Sequence, residues 1–435
     1  MIDLFRSDNV VVRSVLADDV SRWVVTFDHY GIGPGFDRPG FGEEFFRQSG
    51  VSAIHVMGRR EDWYQYPEMA EALAVVRQAT AGADRVMTYG ASMGGYAALR
   101  FADAAGANAA LAISPQYSID PAKVPFETRW QQDSNRIQWL PEIDDQLVCA
   151  FRPVIVFDPA GEDRHHIRQI EAEIEIASVG LRYSKHPSTT YLVETGLLKP
   201  LVFDVLSGAF DAEAFKKEAV LRRRGSSTYL SRLAELQPPR RQRTGMALAQ
   251  RACEIAPYDP IALNILGDWL AAAGDHDQAV ALHERATDVS QRAPNCLVSH
   301  GNALVAAGRV EDALGLADEV IEQLPEQAHL RAWRSTMLRR LGDVEEAIAA
   351  IEQAITLDPH HAGYRRTLAH YREEVGSPAE RALGRWQRFF RRRVRAMCAN
   401  LPALSARSPL GILRQPTRCD EIAVVERRQT VERRR

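Results

Sequence analysis

The stretch Val86-Met-Thr-Tyr-Gly-Ala-Ser92-Met-Gly-Gly-Tyr-Ala-Ala-Leu-Arg100 sets one serine between glycines two residues away on either side. A short apolar run precedes it and an alanine-rich run follows, so Ser92 is expected at a turn from strand to helix. A serine in such a turn projects its oxygen above the edge of a sheet, where it can attack a carbonyl carbon. Gly90 and Gly94 leave room for the crowded backbone that this requires. A second glycine-rich loop, Gly31-Ile-Gly-Pro-Gly35, has neither the Lys-Ser/Thr of a phosphate loop nor the spacing of a dinucleotide fingerprint. The cysteines Cys149, Cys253, Cys296, Cys398 and Cys419 form no CxxC pair and no Cys/His metal spacing, so neither a metal nor a cofactor is expected.

The elements that must hold Ser92 are legible on both sides of it. Trp23–Phe27, Val51–Val56, Arg85–Tyr89, Ala109–Ile113 and Val154–Phe157 are short, apolar and partly β-branched, as buried strands are. Helical stretches run from Tyr66 to Thr80, Gly95 to Ala105 and His165 to Ala177. Strands alternating with helices predict a mostly parallel sheet covered on both faces. With the Gly-x-Ser-x-Gly turn between a strand and a helix, residues of about 10 to 205 resemble the α/β-hydrolases.

That resemblance implies an acid and then a histidine, each on a loop after a later strand. Asp158-Pro-Ala-Gly-Glu-Asp163 follows the strand at 154–157, and Asp163 matches the family position better than Asp158, whose alternative role is to cap the turn. Glu162 is a third option. His186 follows a short last strand expected at Gly180–Tyr183 and precedes a helix beginning near Thr189, the place of the family's histidine. His165 and His166 are expected to open the helix after the acid. The oxyanion hole is assigned to the backbone N–H of Met93 and to His29 or Tyr30, on the loop after the strand at 23–27. Trp63, Tyr64 and Gln65 are expected to line an acyl or sugar pocket, or else to form a packed cluster at a helix start. Ser114–Asp120 and Trp130 are expected to contribute to a small lid.

The second half changes character. Gly274, Gly308, Gly342 and Gly376 recur at 34-residue steps, as do Ala279, Ala313 and Ala347, and Gly267 and Gly301 share the step. Small residues at that period let antiparallel helix pairs approach closely, and the sequences from Leu266 and Leu338 resemble tetratricopeptide repeats. Met246–Ile255 is expected to be the second helix of a degenerate earlier repeat, and Tyr364–Val375 a first helix after the third. Pro294 and Pro359 are expected to stop second helices. The predicted organisation is a hydrolase-like α/β domain over 1–210, a charged, partly helical linker over 211–242, repeats over 243–376, a basic amphipathic capping helix over 377–398 and a disordered basic tail over 399–435.

The net charge of -3 conceals an uneven distribution. Arg381–Arg435 holds 15 Arg against Asp420, Glu421, Glu426 and Glu432, a balance of +11, so the other 380 residues carry -3 - 11 = -14. Either the tail is a solvated arginine-rich terminus, or it and not the fold meets acidic partners, by peripheral contact with a membrane surface more readily than with nucleic acid. The start of the chain lacks the pattern of a secretory signal, and no apolar run approaches the length of a membrane span, which predicts a cytoplasmic protein. The favoured expectation is a serine hydrolase acting on a small-molecule or glycan ester, or on a thioester, with a repeat groove for a protein partner. An acyltransferase acting on a glycan hydroxyl and a scaffold with an inactive hydrolase-like domain are the alternatives.

Overall fold

The computed structural model describes residues 2–374, so the capping helix and basic tail expected at 377–398 and 399–435, together with Gly376, lie outside the described residues. The first half is built on strands β1 (Ile2–Arg6), β2 (Val10–Val15), β3 (Arg22–Phe27), β4 (Ser52–Gly58), β5 (Arg85–Ala91), β6 (Ala109–Ile113), β7 (Val154–Phe157) and β8 (Ala177–Gly180). They form one sheet of 8 strands in the order β1-β2-β4-β3-β5-β6-β7-β8. β2 pairs antiparallel with β1 and β4, and all the other neighbours run parallel.

Helices follow the strands in turn. They are α1 (Glu43–Gln48), α2 (Met69–Ala79), α3 (Met93–Arg100), α4 (Gln131–Arg136), α5 (Pro141–Asp144), α6 (Asp163–Glu173), α7 (Thr189–Glu194) and α8 (Leu198–Ser207). Both faces of the sheet are covered. Val25, Phe27, Ile54 and Val56 pack with α2 and α3 on one face, while Val24, Ala53, Met87 and Tyr89 pack with α1 and α8 on the other. This explains why β3 and β4 are nearly continuous apolar runs and do not alternate with polar residues.

The sheet differs from the expected one at both of its ends. The antiparallel hairpin β1–β2, absent from the expected strands, extends the sheet on the far side of β4. The last strand ends at Gly180, where expectation placed Gly180–Tyr183 within it. β8 follows β7 in register from Val154↔Ala177 to Phe157↔Gly180, and then Tyr183 and Lys185 take left-handed φ of 69° and 60°, which no strand accommodates.

Residues 211–242, expected to be a linker, are mostly helical and packed: α9 (Ala212–Arg222), α10 (Ser227–Glu235) and the start of α11 (Gln242–Ile255). Phe215 and Ala219 of α9 are buried with the sheet's helical layer, and the Tyr191 hydroxyl donates to the Ala219 carbonyl at 2.9 Å. Beyond α11 come α12 (Pro260–Ala272), α13 (His276–Val289), α14 (Pro294–Ala306), α15 (Val310–Gln323), α16 (Ala328–Leu341), α17 (Val344–Leu357) and α18 (Ala362–Glu374). The 34-residue period has a physical origin at each of its phases. Gly274, Gly308 and Gly342 have φ of +87°, +80° and +85° and turn the chain between the two helices of a pair. Ala279, Ala313 and Ala347 are buried at the helix crossings. Pro294 does not stop a second helix: like Pro260, 34 residues earlier, it occupies the first turn of the helix that follows, where its missing N–H costs nothing.

The helical glycines divide by what surrounds them. A Cβ on Gly301 would lie 2.7 Å from the Trp333 ring, whereas one on Gly315 would meet nothing within 4 Å. Gly315→Ala should therefore raise stability by about 0.5–1 kcal/mol through helix propensity, and Gly301→Ala should lower it by about 1–3 kcal/mol through overpacking. Urea denaturation of the two variants beside the wild type checks both signs.

Candidate functional site

Ser92 joins β5 to α3 with φ 55° and ψ -120°, a strained conformation for a residue with a side chain. The strain is sustained by close packing on both sides. A Cβ on Gly90 would fall 2.1 Å from the Gly94 carbonyl oxygen, and one on Gly94 2.4 Å from the Phe27 carbonyl oxygen. Only glycine lets the strand, the turn and the exit of β3 meet this closely. The Ser92 N–H donates to the Ile113 carbonyl at 2.9 Å, which ties the turn to β6 as well.

Above the turn, Ser92 Oγ lies 2.9 Å from His186 Nε2, and His186 Nδ1 lies 2.9 Å from both carboxylate oxygens of Asp163. With Nδ1–H donated to the carboxylate, Nε2 is left as the acceptor facing the hydroxyl. Ser92 and Asp163 are buried, and the His186 side chain is 18% exposed, so one edge of the imidazole reaches solvent. Asp163 is the first residue of α6 and does not lie in the turn before it.

Asp158, the alternative acid, does a different job. Its carboxylate accepts from the N–H groups of Ala160, Tyr183 and Lys185 at 2.8, 3.0 and 2.9 Å. The Ala160 donor closes the turn after β7, and the Tyr183 and Lys185 donors hold the loop that carries His186, so Asp158 shapes both while Asp163 faces the imidazole. Ser188 further pins that loop, its N–H donating to Ser114 Oγ at 3.1 Å. Glu162, the third option, lies 3.9 Å from His165 instead.

The expected accessory residues are more dispersed. Met93 begins α3, and its N–H is one of the first-turn donors with no intrahelical acceptor. His29 and Tyr30 follow β3, which runs parallel beside β5, so they occupy the same sheet edge as Ser92. The Tyr30 hydroxyl donates to Asp133 at 3.1 Å. Tyr64 and Gln65 are buried, and Gln65 borders a hollow of about 290 Å³ whose lining includes neither Ser92 nor His186. The Tyr64 hydroxyl donates to the Val56 carbonyl and accepts from Asp28 N–H, and Gln65 joins the Tyr96 hydroxyl to the Leu140 N–H. Both are buried because their polar ends brace the loops over the sheet. Trp63 is also buried, and it packs on Tyr30 and Trp130, the latter standing edge-on to His186 at 5.3 Å. His165 and His166 lie in α6, as expected.

The segment holding Ser114–Asp120 and Trp130, expected to contribute to a small lid, carries side chains to which the sequence assigned no separate role. Gln116 Nε2 lies 3.1 Å from Ser92 Oγ and 3.5 Å from His186 Nε2, while its Oε1 is buried without a partner among the described residues. Arg129 donates to Asp163 at 3.0 Å and pairs with Glu127, and its guanidinium covers the Trp130 ring at 4.4 Å. Glu127 also accepts from His166 Nε2 at 2.8 Å, and His166 Nδ1 accepts from Tyr117 N–H, which fixes that ring as neutral. Burial would raise the Asp163 carboxyl, but the hydrogen bond from His186 and the Arg129 charge outweigh it and hold it below the ordinary value. Buried Asp144 anchors the segment from below, accepting from the Tyr96 and Ser118 hydroxyls at 2.8 and 3.0 Å. One signal pointed to Gln116: it lies just past the carboxyl end of β6, and open parallel sheets gather functional groups at that edge.

The helical half offers a second kind of surface. A groove of about 440 Å³ lies beside Glu235, Gln242, Ile265 and Trp269, between α10, α11 and α12. Residues 262–294 and 298–362 each match a tetratricopeptide-repeat family. The helical half carries tetratricopeptide repeats. Among solved structures, YrrB, a tetratricopeptide-repeat protein with an unusual peptide-binding site, is 18% identical, covering 41% of this chain and 89% of its own with a TM-score of 0.31. A thermophilic tetratricopeptide-repeat protein of Thermus thermophilus is 15% identical, covering 42% of this chain and 97% of its own with a TM-score of 0.32. MamA of Desulfovibrio magneticus RS-1, from residue 41 to its end, is 16% identical, covering 39% and 97% with a TM-score of 0.30. No curated protein matches the chain. Among the described residues, no helix is long and apolar enough to cross a membrane.

The tetratricopeptide repeats are joined to the histidine loop through α10. Glu194 of α7 accepts from the Ser226 hydroxyl at 2.5 Å and from Thr228 N–H at 3.2 Å, at the start of α10. Lys185, next to His186, pairs with Glu235 at 3.4 Å, and Tyr183 packs on Tyr229.

The charged network predicts a pH dependence. Burial raises the Glu127 carboxyl, yet the hydrogen bonds from His166 and Arg129 prevail and lower it from 4.5 to about 2. A carboxylate depressed by folding stabilises the fold above its unfolded pKa, and that contribution fades as the pH falls from about 4.5 toward 2. Between pH 5 and pH 3 the wild type should lose about 1–2 kcal/mol more stability than Glu127→Gln, with solvent screening allowed for. Guanidinium denaturation at the two pH values measures the difference.

Proposed function

We propose that the α/β half is a serine-dependent acyl hydrolase or acyltransferase with Ser92 as nucleophile, and that the tetratricopeptide repeats hold its protein partner. The observation that carries this reading is the unbroken chain from Ser92 Oγ to His186 to Asp163, with 2.9 Å at each link, set on a strained turn at the start of α3. In this mechanism His186 Nε2 takes the Ser92 proton as Oγ bonds to the carbonyl carbon of an ester or thioester. The tetrahedral oxyanion lies toward the Met93 N–H and the loop at His29 and Tyr30. Collapse expels the leaving group with the proton from His186, and a second cycle passes the acyl group to water or to a hydroxyl such as that of a glycan. Asp163 keeps Nδ1–H in place and stabilises the imidazolium, and Arg129 and burial keep Asp163 in position to do so.

A fluorophosphonate probe tests the reading without knowledge of the natural substrate. The wild type should become labelled at Ser92, while Ser92→Ala and His186→Ala should show no labelling above background. Asp163→Asn should slow labelling by about 10³–10⁴-fold, since the wrong imidazole tautomer then faces serine. Asp158→Asn should have a far smaller effect on rate. A folded wild type that takes no label would leave the chain as an interaction scaffold.

A further inference from the structure

We propose that Gln116 is a catalytic residue whose carboxamide N–H binds Ser92 Oγ, steers the serine proton to His186 and stabilises negative charge on Oγ during attack. This rests on Ser92 being the nucleophile. The placement of Gln116 has a structural cause. Gly95, on the first turn of α3, has no side chain, and a Cβ there would lie 3.2 Å from both the Ile113 carbonyl oxygen and Pro115 Cα. The chain leaving β6 therefore passes tightly over α3. Ser114 takes a left-handed φ of 47°, and the fully buried Gln116 is delivered onto Ser92.

The orientation of the amide follows from what it faces. With Nδ1–H committed to Asp163, His186 Nε2 carries a lone pair, and Ser92 Oγ offers further lone pairs beside it. Two acceptors converge on one end of the carboxamide, at 3.1 and 3.5 Å, so the NH₂ end is the one that fits there. An oxygen in that place would repel the imidazole lone pair and would compete for the serine proton. Once Oγ accepts from Gln116, its own hydrogen is left to point at His186, and the hydrogen bonds run in one direction from Gln116 to Ser92 to His186.

Gln116 Oε1 has no partner among the described residues although it is buried. The favourable interaction is at the other end, and it strengthens when it matters. As the Oγ–C bond forms and the proton leaves for Nε2, charge on Oγ rises before it moves to the former carbonyl oxygen, so the N–H bond is stronger in the transition state than at rest. No atom is transferred to or from Gln116.

Two substitutions separate this role from packing, with fluorophosphonate labelling as the readout. Gln116→Leu removes the donor with a side chain one atom shorter; it should label about 10–100-fold more slowly with an unchanged melting temperature or a higher one. Gln116→Glu places an acceptor and a negative charge beside the imidazole. It should slow labelling and move the acid limb of the pH–rate profile upward by about one unit, because the carboxylate favours the imidazolium. Labelling of Gln116→Leu within about threefold of a labelled wild type, or a Gln116→Glu profile that does not move, overturns the role of Gln116 while leaving Ser92 as nucleophile. If Gln116→Leu does not fold, the Gln116→Glu profile decides alone. A wild type without label removes both readings together.

Discussion

The geometry of the α/β half depends on the conformation of one residue. Ser92 occupies φ 55°, ψ -120° between the end of β5 and the first turn of α3. That conformation costs on the order of 1–3 kcal/mol, and it persists because its neighbours allow no other. Gly90 and Gly94 meet backbone to backbone, Gly94 lies against the exit of β3, and Gly95 lies against the exit of β6. Three sheet exits are thereby drawn toward one oxygen atom. The loop carrying His29 and Tyr30 is one of them, and the segment carrying Gln116 is another.

Around this turn the carboxylates divide their work. Asp158 spends its hydrogen bonds on backbone N–H groups and so folds the loop that ends in His186. Asp163 spends its own on the imidazole and on Arg129. Glu127 and Asp144 secure the overlying segment, one through His166 and Arg129 and the other through Tyr96 and Ser118. Each buried charge is thus matched by donors fixed by neighbouring elements, which is the condition for keeping ionised groups out of water. Trp130 stands edge-on to the imidazole, and Trp63 and Tyr30 pack behind it.

The tetratricopeptide repeats are not suspended from a free linker. α9 packs on the layer beneath the sheet, and α10 pairs with α11 while its start is held by Glu194 of α7. The loop bearing His186 touches α10 through Lys185 and Tyr183. The two halves therefore share a physical boundary near the imidazole, and α10 supplies the first helix that pairs with the helix expected at Met246–Ile255.

Much of this was legible in the sequence, for identifiable reasons. The parallel strands at 109–113 and 154–157 are short buried runs, and the repeat glycines recur because a left-handed turn or a crossing helix recurs. Ser92, Asp163 and His186 could be ordered along the chain because each follows a strand. What sequence left open was decided by contacts between distant segments. Asp163 and Asp158 are equivalent as residue types, and only the loop geometry assigns backbone N–H groups to one and the imidazole to the other. The polar ends of Tyr64 and Gln65 brace neighbouring loops, partners that no local pattern in the sequence announces. Gln116 is marked only by its place just past β6, and it reaches Ser92 because a glycine on another element lets the backbone pass. Periodicity and turn chemistry are local and are written in the chain itself, whereas the partner of a buried polar group is chosen by packing in three dimensions.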